Sequence, residues 1–324
     1  MIVWIAFILF VFAALAFDLG VLNKEAHVVS TREAFRWTSI WVSLSLLFSV
    51  FIYYGYENHW LGLGETIGHD VGGINAAITY LTGYIIEQSL SMDNIFVIAV
   101  ILGYFRIPQK YQHRVLFWGI LGALVFRGIL IGAGAYLVEH FHFVLYIFGA
   151  ILLWTAYKMI KDGGEEIHPE ENPVVLRLRK FLPVTKMMKG EQFFVRRFGK
   201  IVAMTPLFVA LIVIETTDIM FAFDSIPAIF AITTDPFLVF TSNIFAILGL
   251  RSLYFVLASL LDKFAYLKYS LAAILAFVGL KMLLLEPLGF DLPVWASLVV
   301  IVVLLTVGIL VSLKKSKESE EVTT

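Results

Sequence analysis

Cysteine is absent from the 324 residues, which excludes a disulfide framework, thiolate metal ligands and thiol redox chemistry. Charge is scarce too: Asp, Glu, Lys and Arg make up 15% of the chain and the formal net charge is −1. No excess of positive charge marks a nucleic-acid surface, and nucleic acid is not an expected partner. No nucleophile–base pair and no nucleotide-binding loop can be picked out, so catalysis is not expected. The first apolar run (Ile2 to Phe17) lacks a basic region before it and a clear small-residue cleavage site after it. It reads as a retained spanning helix and not as a removed signal peptide.

What the chain has instead is apolar surface: 60% of its residues are hydrophobic. A soluble domain of this length could not hide that much, so lipid must be the solvent for much of it. A span needs about 20 apolar residues. Nine stretches qualify, at about 2–22, 38–55, 76–102, 115–137, 142–160, 201–222, 236–260, 269–286 and 293–313. They are long apolar runs without alternation, so they are helices and not barrel strands. The fold class expected is all-α, a polytopic membrane protein of about nine helices.

Lys and Arg fix an orientation. They fall on alternate connections: Lys24, Arg32 and Arg36; Arg106, Lys110 and Arg114; the basic stretch from Lys161 to Lys200; Lys263 and Lys268; and Lys314, Lys315 and Lys317. The intervening connections carry Glu57, Glu65 and Asp70, then Glu139, His140 and His142, then Thr233–Asp235, then Glu286 and Asp291. The expectation is an N-terminus outside and a C-terminus in the cytoplasm, across an inner membrane. The 161–200 segment is acidic and turn-prone at first and basic later. A cytoplasmic linker with its basic groups against anionic lipid is preferred there to a regulatory or lipid-binding arm. The tail from Lys314 to Thr324 reads as disordered.

A duplication is legible. Glu87-Gln88-Ser89-Leu90-Ser91-Met92-Asp93-Asn94-Ile95 lies over Asp218-Ile219-Met220-Phe221-Ala222-Phe223-Asp224-Ser225-Ile226. One arginine follows in the next helix of each half, Arg127 and Arg251, and Lys158-Met159 then matches Lys281-Met282. Each unit has three spans, an odd number, so the second copy would be inverted, as in secondary transporters with midplane sites. The organisation expected is two peripheral helices in 1–60, a first repeat in 76–160, the linker in 161–200, an inverted repeat in 201–286, and a last helix with its tail in 293–324.

Carboxylates sit inside these spans. Glu87 lies about eleven residues into its helix, near mid-depth, with Asp93 closer to the cytoplasm. Glu215 and Asp218 are three apart on one face near mid-depth, and Asp224 lies toward the outside. A charge at the bilayer centre costs roughly 2.5–3.5 kcal/mol even on the mildest scale. These acids must therefore face inward and be protonated, paired or cation-bound. Pairing with Arg127, Arg251, Lys158 and Lys281 accounts for some of them, and Lys158 and Lys281 can also snorkel from helix ends. The excess of oxygen donors suits a hard divalent cation such as Mn²⁺, Mg²⁺ or Ca²⁺, with neutral oxygens from Asn94, Ser91, Gln88, Thr216, Thr217 and Ser225.

Lesser features stay open. Pro227 frees the carbonyl of Phe223 and leaves either a simple kink or an opened helix that offers a backbone ligand. Gly128 and Gly132 form a small-xxx-small pair suited to close helix contact. Glu139, His140 and His142 read as interface decoration before an outer metal-gathering point. Asp18 reads as a helix-end residue before a part of an ion path.

At Glu87–Asn94, at Asp218–Ala231 and at Thr234-Asp235-Pro236-Phe237 with Thr241–Arg251, the chain resembles the TerC family. Phe17-Asp18-Leu19-Gly20 with Arg32-Glu33-Ala34 resembles its longer, Alx-type branch. The resemblance covers nearly the whole chain and implies a bacterial integral membrane protein of metal homeostasis. Manganese export is the best-attested role, and members are also linked to alkaline pH and to metal loading of exported enzymes. The family name comes from tellurite resistance, but carboxylates repel an oxyanion, so tellurite is not adopted as substrate. The family's intramembrane acids fall on Glu87, Asp93, Glu215, Asp218 and Asp224.

The function expected is export of a divalent ion, Mn²⁺ first, as cargo and not as a permanently bound cofactor. Lipid is the surrounding partner, and protons are the preferred counter-ions, with arginine pairing as the fallback. The rivals are export of another divalent ion or of cationic amino acids, and a scaffold that delivers metal to exported proteins or contacts the translocon.

Overall fold

The computed structural model describes residues 2–17, 29–161, 172–185, 188, 190–197, 200–257, 266–285, 287–290 and 292–323. Asp18, Lys24, Lys263, Glu286, Asp291 and the acidic stretch 162–171 lie outside the described residues. Ten α-helices follow in order: α1 (Ile2–Phe17), α2 (Thr31–Glu57), α3 (Gly73–Tyr104), α4 (Gln109–His140), α5 (Phe143–Lys161), α6 (Pro173–Phe181), α7 (Pro206–Phe230), α8 (Pro236–Leu257), α9 (Leu267–Leu280) and α10 (Val294–Thr323). One antiparallel hairpin, β1 (Phe194–Arg197) with β2 (Lys200–Met204), interrupts them.

Among the described residues eight helices are long and apolar enough to cross a membrane, and α1 is a shorter apolar helix of 16 residues. The other spans fall near the sequence expectation, with two differences. Residues 200–204 are strand, where β-branched Ile201 pairs with Arg196 of the preceding strand and Val202 falls at a bulge. Thr205 and then Pro206 at the first helical position start α7 late. Asp218 thereby becomes the midpoint of α7, twelve residues from either end (218 − 206 and 230 − 218). At the other end of the chain α10 runs on to Thr323 where the sequence suggested disorder. No Gly or Pro follows Gly308 to stop it.

α8 is the buried axis, with 78% of its apolar window covered, whereas only 17% of that of α10 is. Helix α3 packs on α8 and α7, α4 packs on α7 and α8, and α5 packs on α9. α2 lies against α3 and α8, and α10 against α9 and α3. The α1 stripe Val3, Phe7, Val11 and Leu15 joins an aromatic cluster in which Phe48 and Phe245 stand 4.7 Å apart. Ile129, Trp154 and Leu310 are exposed, as lipid-facing side chains are.

One end of the bundle is pinned by Asp235, which is fully buried. Its carboxylate accepts from the Tyr56 hydroxyl (2.8 Å), the His69 amide (2.9 Å) and the Phe237 and Leu238 amides that open α8 (2.9 and 3.2 Å). Gly68, at φ +77°, passes so close that a Cβ would collide with that carboxylate. The connection 58–72 is thus locked onto the start of α8.

The opposite end holds more structure than its composition announced. Asn172 caps α6 by accepting from the Val174 and Val175 amides. Val175 is buried and, with Leu178 and Leu182, joins the cluster formed around the first half of α7. The Asn172 amide donates to Thr216 Oγ1 at 2.7 Å, ten residues into α7 (216 − 206). Ten residues are about 15 Å of helix. The segment after residue 171 therefore folds back along α7.

Candidate functional site

Four helices bring side chains to the middle of the bundle. Glu87 stands fourteen residues from the start of α3 (87 − 73), Arg127 thirteen from the end of α4 (140 − 127), and Asp218 twelve from the end of α7 (230 − 218). Because neighbouring spans alternate in direction, these three counts run from one side and place the residues at one depth. On α3, Glu87, Ser91 and Asn94 follow at i, i+4 and i+7, all buried. On α7, Glu215, Asp218 and Ser225 share a face. The two polar stripes meet across the α3–α7 contact.

Arg127 lies between them, 2% exposed, with Glu87 1% exposed. Its Nη1 donates to Glu87 Oε1 and to Asn243 Oδ1 (3.0 Å), with Ser225 Oγ at 3.4 Å. Its Nη2 and Nε donate to the two oxygens of Asp218, at 2.8 and 3.2 Å, a bidentate fork. Two amides hold the carboxylates from behind: Asn94 Nδ2 donates to Asp218 Oδ1 (2.9 Å) and Asn243 Nδ2 to Glu87 Oε2 (3.1 Å). The guanidinium is thus a cation held by oxygens from Glu87, Asp218, Ser225 and Asn243.

The other sequence-predicted residues are distributed along the bundle. Glu215, one turn from Asp218, presses its carboxylate against Gly122 of α4, where a Cβ would collide with it. Its Oε2 is buried without a hydrogen-bond partner among the described residues, as are Gln88 Oε1 and Ser91 Oγ. Asp224 accepts from Thr155 Oγ1 of α5 at 2.7 Å. Asp93 lies toward the far end of α3, in the field of Lys268 of α9. Arg251 is not gathered: it lines a small crevice with Glu33 and Trp37 of α2, six residues from the end of α8 (257 − 251). Lys281 does not snorkel. It is 5% exposed and donates to the Ala231 carbonyl (3.1 Å), just past the end of α7.

The five acids do not converge: among the described residues no group of three or more His, Asp or Glu side chains is placed to hold a metal ion. That includes Glu139, His140 and His142, where His140 turns back onto Tyr136, its ring 4.2 Å away. α7 passes through Pro227 as a continuous helix, so no opened segment is present. Close approach occurs at Gly122 and Gly134, whereas Gly128 makes ordinary contact and Gly132 none. Asn243 is the site residue that the sequence reading missed. It lies within the Thr241–Arg251 string, but a neutral amide carries no charge anomaly, and its full burial is seen only in the fold.

Residues 73–320 match the family model for the integral membrane protein TerC family. An uncharacterized membrane protein of Myxococcus xanthus is 46% identical over 98% of this chain and 93% of its own length. A proposed membrane-bound redox modulator, Alx, of Salmonella typhi is 44% identical over 95% of this chain and 93% of its own. The Escherichia coli K12 protein of the same name is 44% identical over 92% and 90%. No solved structure matches the chain. On the family match and on relatives that span almost its full length, this chain belongs to the TerC family of integral membrane proteins.

Proposed function

We propose that the protein exports a divalent metal ion, Mn²⁺ first, across the bacterial inner membrane through its intramembrane carboxylates. The observation that carries this reading is that Glu87 and Asp218, one from each half of the chain, are buried at one depth and bridged by Arg127, with the neutral oxygens of Ser225 and Asn243 beside them. Two carboxylates in this setting supply the charge that a hard divalent ion needs to leave water, and the amide and hydroxyl oxygens supply weaker ligands. Asp93 stands toward the cytoplasmic approach, Asp224 toward the outer exit, and Glu215 beside the centre.

The two halves work as inverted three-helix repeats, α3–α5 and α7–α9, rocking about that centre. Their contacts fit such an exchange: α3 on α8 has its counterpart in α7 on α4, while α5 and α9 pack on each other. The N-terminus lies outside and the C-terminus in the cytoplasm, as the basic connections require. The redox role in the name Alx belongs to that relative. A chain without cysteine could reach redox balance through the manganese it moves, not through thiols. Return of the emptied site requires its carboxylates to be neutralised, by protons from outside or by an arginine, and the pairing of Arg127 favours the second route.

Reconstitution tests the proposal. Purified protein in liposomes should move Mn²⁺ down an imposed gradient, and cells lacking it should accumulate manganese. Tight liposomes with inserted, folded protein and no Mn²⁺ flux would overturn export and leave the scaffold reading.

A further inference from the structure

We propose that Arg127 is a tethered counter-cation that alternates between two acidic positions. It fills the Glu87–Asp218 cage when no ion is bound, and moves to Glu215 when a divalent cation takes the cage. This deepens the transport reading above and rests on it.

The cage is the first observation. Everything that binds the guanidinium is oxygen: Glu87 Oε1, Asp218 Oδ1 and Oδ2, Ser225 Oγ and Asn243 Oδ1. That donor set serves a hard divalent ion as well as it serves an arginine. Ser91 Oγ, buried on the same α3 face and without a hydrogen-bond partner among the described residues, is a further donor left over. Charge points the same way. Two carboxylates and one guanidinium sum to −1, whereas two carboxylates and one divalent ion sum to zero. The ion therefore satisfies the cage better than the arginine, provided that the displaced guanidinium finds an anion of its own.

Glu215 is that anion, and it is the second observation. It lies one turn from Asp218 on the face turned toward α4, with Oε2 buried and unpartnered among the described residues. Its carboxylate touches α4 at Gly122, five residues before Arg127 on the same helix (127 − 122) and about 7.5 Å along the axis. The absent side chain at Gly122 lets the carboxylate lie directly against α4, the helix that carries Arg127. An arginine that swings by one helical turn leaves Asp218 for Glu215 without crossing lipid. The metal-bound state then has these buried charges compensated, and in the empty state the guanidinium offsets one of the two cage carboxylates, which lowers the barrier that a bare site would face on its return.

A double-mutant cycle on the full-length protein in detergent, read by Mn²⁺ binding, tests this. Glu215→Gln should weaken Mn²⁺ binding by about 100-fold, the factor for one uncompensated charge at membrane depth. In an Arg127→Gln background the same change should have almost no effect, since no guanidinium needs a receiver. An equal loss in both backgrounds would make Glu215 a direct ligand and overturn the exchange. Arg127→Gln should also melt in a strongly Mn²⁺-dependent way, because the ion replaces the missing cation. Failure of this variant to fold even with millimolar Mn²⁺ would equally count against the exchange. Wild-type protein that is folded yet binds no divalent ion would instead sink the transport reading itself.

Discussion

At residue scale the bridge from Glu87 through Arg127 to Asp218 sets what each substitution does. Glu87→Gln and Asp218→Asn each leave one carboxylate facing one guanidinium, a neutral pair. They lose charge-assisted hydrogen bonds worth roughly 1.5–3 kcal/mol each. Both variants should insert and accumulate, yet lose Mn²⁺ transport, because a single carboxylate cannot neutralise a divalent ion. Arg127→Gln strands two carboxylates and should cost about 3–5 kcal/mol in the absence of metal. Melting temperatures in detergent should therefore fall in the order wild type, then the two single-acid variants, then Arg127→Gln. Glu139→Gln, at an exposed position near the end of α4, should transport normally. Full transport by the Glu87 and Asp218 variants would reduce these acids to structural counter-ions.

At the scale of elements, α6 and α7 act together. The hydrogen bond from Asn172 to Thr216 holds the start of α6 beside the residue that follows Glu215. The salt bridge from Arg114 to Glu191 (2.9 Å) and the Thr205 hydroxyl on the carbonyls of Gln192 and Phe193 hold the rest of the segment against α4 and α7. With no native cysteine to interfere, Asn172→Cys/Thr216→Cys should be joined by a short bifunctional thiol reagent, while either single variant should not. If α7 must shift for the site to open inward, the joined protein should lose transport and the single variants should keep it. A pair that cannot be joined would place α6 away from α7.

For the whole molecule the open number is the count of crossings. α1 has 16 residues, about 24 Å of helix against a hydrocarbon thickness of about 30 Å. With α1 crossing, the termini lie on opposite sides; with α1 lying in the interface, they lie on the same side. Reporters fused after Gly62 and Glu139 should read as external, and those after Lys110 and Lys315 as cytoplasmic. A tag at the N-terminus should be open to protease in intact spheroplasts. A cytoplasmic reading at Gly62 would reverse the orientation, and a protected tag beside an external Gly62 would remove α1 from the spans.

The sequence by itself determined the class of the protein. Lipid cannot solvate a bare backbone, so long apolar runs have one answer, and the helices lie near where hydrophobicity put them. It also determined which residues are out of place, because Glu87, Asp218 and Arg127 are conspicuous in an apolar background at any depth. Tertiary structure decided which of these meet. Arg127 and Arg251 look equivalent along the chain, yet it is Arg127 that bridges Glu87 and Asp218, while Arg251 lies in a crevice beside α2. α7 begins after a hairpin and not at residue 201, which makes Asp218 the midpoint of its helix. Asn243 and Asn172 were silent in the sequence because a neutral amide carries no charge anomaly. Their roles come from partners 156 and 44 positions away, which no local pattern encodes.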